Sequence, residues 1–256
     1  MPTSKNNQDA IRNSLFKLAR FVEKIATYAQ DKGYGSASIK QENDLVQKLL
    51  SKKASLAIDI GGNIGEYTAE IRKHNPKTEI HTFEPSLTNF KKLSIRFAND
   101  NKIIALPFAV SEKPGSSTLF ADKDGSGFGS LSKRRLEHFD MSFNFKESIK
   151  IIRFEDYWCN NLNKRVLDIV KIDIEGHELS ALKGFGQAIF FTNLIQFEFG
   201  GCNIDTRTYF QDFWYFFKEH NFDIYRITPL GLQKIKKYQE SDESFVTTNY
   251  IAVNKR

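Results

Sequence analysis

The stretch A-I-D-I-G-G-N-I-G, residues 57–65, organises the rest of the chain. Leu56, Ala57, Ile58 and Ile60 form a short apolar run that breaks at Gly61 and Gly62, and helical periodicity begins at Ile64. An apolar run, paired glycines and an amphipathic pattern in succession predict a buried strand, a tight turn and a helix start. Glycine has no side chain and accepts positive φ, so such a turn lets a ligand lie against bare backbone. In an open α/β sheet the ligand crevice lies at the carboxyl ends of the strands.

The chemistry of the turn narrows the ligand. A dinucleotide fingerprint reads G-x-G-x-x-G, whereas this turn reads G-G-x-x-G with Asp59 two residues before the first glycine. An anion there is a poor neighbour for a pyrophosphate and a good one for a cofactor carrying an ammonium and a sulfonium, such as S-adenosylmethionine. Glu84 follows the strand-like run 79–83. That places it about 20 residues on, where a carboxylate commonly takes ribose hydroxyls.

A chain of 256 residues suits one α/β domain with an appendage: an N-terminal helical extension over 1–50 and the cofactor-binding domain over 51–256. Hydrophobic residues at 40%, with 23 Phe, supply a substantial core. The net charge of +6 is spread over pairs and triplets such as Lys52 with Lys53 and Lys133 with Arg134 and Arg135. Such clusters are mostly solvated faces, so nucleic acid is disfavoured as a partner. Cys159 and Cys202 lie far apart without C-x-x-C spacing, which gives no zinc or disulfide framework and makes a reduced, cytoplasmic setting the default. The polar start lacks the apolar core of a secretion signal. No apolar run approaches the ~18 residues of a membrane span.

Residues 11–30 carry Ile11, Leu15, Leu18, Phe21, Val22 and Ile25 at helical intervals, ending near Gly33 and Gly35. The stripe is expected to pack on the catalytic domain or on a second subunit, which would make a homodimer; a lid or a membrane-surface helix is the sharper alternative. A second short helix over 41–50 leads to the first strand. Thereafter strands at 79–83 and 103–110 alternate with helices at 66–74 and 86–99, with Ser86 as N-cap. This alternation predicts a mostly parallel, Rossmann-like sheet with right-handed crossovers and helices on both faces. Residues 115–120 read as one arm of a hairpin. The loop D-G-S-G-F-G-S-L-S, 124–132, reads as facing the substrate rather than as a plain connection. His138 reads as exposed.

A strand at 148–154 and a helical turn at 155–161 lead to the second informative stretch, D-I-V-K-I-D-I-E-G, 168–176. Alternation sets Lys171, Asp173 and Glu175 on one face and Val170, Ile172 and Ile174 on the other. Three charged groups on one face of an otherwise apolar strand are hard to explain by packing alone. L-I-Q-F-E-F-G, 194–200, repeats the arrangement with Gln196 and Glu198. An aromatic helix over 209–220 is expected against the sheet. The last strands, 223–228 and 245–253, are joined by a basic loop, and the final one is expected to insert antiparallel.

With both stretches in hand, the chain resembles the FkbM-type family of class I methyltransferases. The matching pieces are A-I-D-I-G-G-N-I-G-E-Y (57–67), T-F-E-P-S-L-T-N-F (82–90), A-V-S (109–111) followed by Gly115, V-K-I-D-I-E-G-H-E (170–178) with A-L-K-G (181–184), and Q-F-E (196–198). The resemblance covers about residues 56–200 and leaves the first 50 outside. Departures are modest: Gly62 stands where a small alanine is common, and His177 at a variable position. It implies an S-adenosylmethionine-dependent O-methyltransferase acting on a small molecule or glycan, with the class I sheet as fold. Asp59, Gly61, Gly62, Asn63, Gly65 and Tyr67 would serve the methionine end of the cofactor, and Glu84 and Pro85 the ribose. Ala109, Val110 and Ser111 would border the adenine. Lys171, Asp173, Glu175, His177 and Glu198 would sit near the transferred methyl.

Methyl transfer needs acceptor oxygen, methyl and sulfur held in line. An aliphatic hydroxyl is a poor nucleophile, so the reaction calls for a base, Asp173 or His177, or for a divalent cation such as Mg²⁺ held by Asp173 and Glu198. Lys171 argues against the metal by offering Asp173 an ion pair. Three rivals stand beside this reading: an RNA or DNA methyltransferase, a non-catalytic cofactor-binding module, and an NAD-dependent enzyme.

Overall fold

Strand β1 (Leu56–Ile60) is covered on both faces, every residue buried, which is what a central parallel strand requires. The computed structural model describes residues 3–30, 32 and 38–256, with side chains from residue 8 onward; the expected helix stop at Gly33 and Gly35 lies outside them. β1 pairs in parallel with β2 (Glu79–Phe83) on one side and β7 (Ile169–Ile172) on the other. Beyond β2 lies β3 (Ile103–Leu106), and beyond β7 lies β8 (Leu194–Phe199), both parallel. β11 (Thr248–Asn254) runs antiparallel between β8 and β9 (Phe222–Thr228), and β10 (Gly231–Ile235) closes the edge. The spatial order is β10-β9-β11-β8-β7-β1-β2-β3. The order reverses between β1 and β7, so the crevice forms at their carboxyl ends.

Helices cover both faces. On one, α2 (Ile39–Leu49) and α3 (Glu66–His74) bring Val46, Tyr67 and Ile71 onto Ala57, Ile169, Leu194 and Ile251. α2 is started by a capping box in which Ser38 and Gln41 each take the other's backbone N–H. On the other face, α5 (Phe154–Asn161), α6 (Glu178–Gly184) and α8 (Phe210–Glu219) cover Ile58, Ile60, Val170, Ile172 and Phe197. Phe213 of α8 stacks on Phe197 with ring centroids 5.0 Å apart. α4 (Leu87–Arg96) follows β2. Its N-cap, Ser86, makes no side-chain bond to the helix among the described residues; Glu84 and Glu147 carboxylates accept the Ser86 and Leu87 N–H groups instead.

Several expectations change. The strand expected over 103–110 breaks at Pro107, which has no N–H to give a ladder. β4 (Ala109–Ser111) leaves for a second sheet, ordered β4-β6-β5, with β5 (Gly115–Ala121) antiparallel to β6 (Phe145–Arg153). The basic stretch after β9 contains β10 rather than only loop. β7 ends at Ile172, and Glu175 (φ 54°) and Gly176 (φ 100°) turn away in left-handed backbone, so Glu175 does not share a strand face with Lys171. The stripe of α1 (Thr3–Ala29) is not packed on the domain: Ile11, Leu15, Leu18, Phe21, Val22 and Ile25 are each more than half exposed. Among the described residues no helix is long and apolar enough to cross a membrane.

Candidate active site

The glycines of the first turn are demanded by packing. Gly61 has φ +87°, and a Cβ there would lie 1.8 Å from the Asp173 carbonyl oxygen. Its N–H and that of Gly62 both donate to the Phe83 carbonyl at 2.9 Å. A Cβ on Gly62 would meet Thr82 Oγ1 at 2.1 Å, and one on Gly65 (φ +85°) would meet Phe97 at 2.5 Å. These close approaches draw the loops after β1, β2 and β7 together around one hollow of about 610 Å³, its open mouth included.

Gly61 and Asn63 line it from the first turn, Glu84 and Pro85 from the end of β2, and Asp173, Glu175 and His177 from the loop after β7. Phe108, Val110, Leu119 and Leu131 give it an apolar wall, and Ser126, Gly127 and Gly129 bring in the glycine-rich loop. That loop is ordered by Asn89 Nδ2 donating to the Ser126 carbonyl (3.2 Å) and Ser130 Oγ donating to the Glu175 carbonyl (2.8 Å). It therefore borders the same hollow as Glu84.

Glu84 accepts the Asn63 N–H on Oε2 and the Ser86 N–H on Oε1, each at 2.8 Å. Burial pushes its pKa up to about 7, against those two hydrogen bonds. Each oxygen keeps a second lone pair for a hydroxyl donor. Glu178 is fully buried and accepts the Ile174 and Gly176 N–H groups at 2.9 and 3.1 Å, so it clamps the loop after β7. Burial lifts it to about 7. Glu175 rises to about 8 through burial and the Asp173 charge, opposed by Arg134, with which it forms an ion pair. Burial lowers the His177 pKa, which favours the neutral ring. His177 Nε2 lies 3.0 Å from Ser132 Oγ.

Other sequence-predicted residues stand behind the hollow. Asp59 is fully buried; Thr68 Oγ1 donates to its Oδ2 at 2.6 Å, and burial raises its pKa against the opposing Lys171 charge. Tyr67 is buried and donates its hydroxyl to Gln196 Oε1 at 2.6 Å. Ser111 Oγ pairs with Ser180 Oγ at 2.8 Å. Lys171 Nζ donates to Asp173 Oδ2 at 2.6 Å; burial alone would lower its pKa, but Asp173, Asp59 and Glu42 together raise it. Glu198 sits beside the loop after β7, and burial, Asp173 and Glu175 all raise its pKa. Glu198 gathers with Glu175 and Cys202, their ligand atoms within 4.8 Å of one another, while Asp173 is outside that group. Asn89, Phe108 and Arg134 were not singled out as site residues, whereas Leu131 comes with the glycine-rich loop expected to face the substrate. Arg134 belongs to a triplet read as a solvated face, but its side chain is only 10% exposed, 3.6 Å from Asp205 and paired with Glu175.

A mostly parallel sheet reversing between β1 and β7, an antiparallel last strand and a hollow at the reversal define the Rossmann-like fold of class I methyltransferases. The chain belongs to the FkbM methyltransferase family, whose domain model, "Methyltransferase FkbM domain", matches residues 59–224. Methyltransferase 1 of Beauveria bassiana (strain ARSEF 2860) is 24% identical over 145 residues, 51% of this chain and 58% of that protein. 2-O-methyltransferase NoeI of Sinorhizobium fredii (strain NBRC 101917 / NGR234) is 22% identical over 187 residues, 69% of this chain and 76% of that one. The crystal structure of methyltransferase FkbM from Methylobacillus flagellatus KT aligns with a TM-score of 0.44 at 18% identity, over 78% of this chain and 44% of that chain. The chain thus spans less than two thirds of the Beauveria relative and under half of the Methylobacillus chain.

Proposed function

We propose that this protein transfers a methyl group from S-adenosylmethionine to a hydroxyl of a small molecule or glycan, with a sugar as the first candidate. The observation that carries this reading is the convergence of Glu84, an apolar wall and the Asp173–His177 loop on one hollow at the sheet reversal. The residues fit the cofactor. Glu84 has lone pairs for two ribose hydroxyls, Phe108, Val110 and Leu131 would take the adenine, and Asp173 and Asn63 would face the methionine end. When bound, the cofactor supplies an electrophilic methyl on positive sulfur. The name 2-O-methyltransferase carried by the Sinorhizobium relative supports oxygen as the acceptor atom.

The protein's own work is alignment and removal of one proton. Asp173 is tied to Lys171 and Glu175 to Arg134, so each carboxylate is already held by a cation on its own side of the loop. His177, neutral and bonded to Ser132, is the base we assign. With Nε2–H donated to Ser132, Nδ1 is free to take the acceptor's proton. The Lys171 pair also leaves Asp173 little use for Mg²⁺.

Incubating the protein with methyl-labelled adenosylmethionine and separate pools of glycans, nucleotide sugars and total RNA tests the proposal. Label in a glycan or sugar supports it; label in RNA alone replaces it with the nucleic-acid reading. Adenosylhomocysteine should raise the melting temperature and NAD should not, since only a ligand of the folded state stabilises it. Turnover that EDTA abolishes and Mg²⁺ restores would overturn the base assignment in favour of a metal.

A further inference from the structure

β2, β1, β7 and β8 stand in register so that Thr82, Asp59, Lys171 and Gln196 form one polar row across a buried sheet face. A cationic lysine in such a row is costly unless its charge is matched and its donors are used. Lys171 meets this with Asp173 at 2.6 Å and by resting its Nζ 4.9 Å from the centre of the Tyr67 ring. The Tyr67 ring is in turn fixed, because its hydroxyl donates to Gln196 Oε1 at 2.6 Å. Gln196 is oriented by its other end, where Nε2 donates to Glu42 Oε2 at 2.6 Å. Glu42 Oε1 accepts from Asn249 Nδ2 at 3.1 Å, so both carboxylate oxygens are engaged. Glu42 is buried and belongs to α2, which precedes the family-matched segment 59–224.

We propose that Glu42 is a positioning residue: through Gln196 and Tyr67 it seats Lys171, and Lys171 aims the Asp173 carboxylate into the cofactor hollow. The proposal rests on the methyltransferase reading, since it takes Asp173 to face the bound cofactor. It makes α2 part of the binding unit rather than an appendage.

A double-mutant cycle on adenosylhomocysteine affinity, read by calorimetry, tests it with no need of an acceptor. Glu42→Gln keeps size and removes charge. It should weaken binding about tenfold in the otherwise native chain and less than about twofold beside Asp173→Asn, a non-additivity in the range seen for coupled contacting residues. Tyr67→Phe keeps the ring and loses the bond to Gln196. It should show the same dependence on Asp173, which covers the case in which Glu42→Gln does not fold. A merely structural role for Glu42 would lower the melting temperature and leave affinity, measured well below that temperature, unmoved. Equal losses in both backgrounds, or none, overturn the relay while leaving the methyltransferase reading intact. An unsubstituted chain that does not bind adenosylhomocysteine overturns both.

Discussion

Replacing Glu84 with Gln tests the cofactor site at its best-defined atom pair. The native carboxylate accepts two backbone N–H groups, from Asn63 and Ser86, at 2.8 Å each. A glutamine keeps one acceptor and turns an NH₂ toward the second amide, leaving a buried donor unpaired at a cost of about 1–3 kcal/mol to folding. It also replaces charge-assisted bonds to ribose hydroxyls with neutral ones of roughly half the strength. A loss of about 2 kcal/mol in binding corresponds to about 30-fold in Kd. The pH dependence adds a second signature. Burial lifts Glu84 from 4.5 to about 7, so the folded chain holds a proton that the unfolded chain releases near 4.5. This residue's contribution to stability therefore falls as pH rises from 4.5 to about 7 and is constant above. Ribose hydroxyls favour the ionised form, so binding must expel that proton below about pH 7, and affinity should climb with pH to that point and then level. Calorimetry with adenosylhomocysteine in buffers of different ionisation enthalpy reads both affinity and proton release. A glutamine variant within threefold of the native Kd at pH 8, or a native chain that releases no proton at pH 6, refutes the assignment of Glu84 to the ribose.

Asp59→Ala should act on stability and not directly on binding, because Asp59 is fully buried beside Lys171 and outside the hollow. Losing the buried hydrogen bond from Thr68 costs about 1–3 kcal/mol, readable by urea unfolding, and a variant of native stability with weakened cofactor affinity would reverse the assignment. Gly61→Ala should abolish adenosylhomocysteine binding and lower the melting temperature, since its Cβ would fall 1.8 Å from the Asp173 carbonyl in left-handed backbone; native-like binding by this variant would mean that the turn is looser than described. Removal of residues 1–30 should leave the melting temperature of the dilute, dissociated chain almost unchanged, because the apolar stripe of α1 is exposed and a partner adds stability only by mass action. We assign that stripe to a second copy, since Ile11, Leu15, Leu18, Val22 and Ile25 recur at alternating intervals of four and three, the spacing of a coiled-coil seam. Sedimentation should then show a dimer that truncation converts to a monomer, and a full-length monomer would end that assignment.

The parts of the fold legible in the sequence are those whose burial is two-sided. β1, β2, β7 and β8 are covered on both faces and read as apolar runs, whereas β10 is an edge strand with Gln233 and Lys234 exposed and reads as a basic loop. Alternation gave Lys171 its face, because the residue lies within β7. It misplaced Glu175, because Gly176 ends extended backbone before the period can continue. Arg134 was hidden for a different reason. Its partners Glu175 and Asp205 lie far along the chain, and a basic triplet carries no sign of which member turns inward. The periodicity of α1 reported an apolar face correctly but could not say what covers it.

The acids around the hollow outnumber what the chemistry needs, and the structure separates their tasks by their partners. Glu178 spends one oxygen and Glu84 both on backbone amides, so each fixes the loop that carries it. Asp59 answers to Thr68 and to the Lys171 charge inside the sheet, and Glu175 is held by Arg134. Among the described residues that face the hollow from the loop after β7, Asp173 and His177 accept no backbone amide on their side chains. Asp173 is anchored from below by a lysine, which suits a fixed negative charge beside a cationic cofactor. Among the described residues the Ser132 hydroxyl is the one hydrogen-bond partner of the His177 ring, and burial lowers the ring's pKa, which suits a group that must gain a proton and lose it again. The density of carboxylates visible in the sequence thus reflects mostly the building of three close-packed loops, which is why the base we propose is the His177 imidazole and not one of the acids.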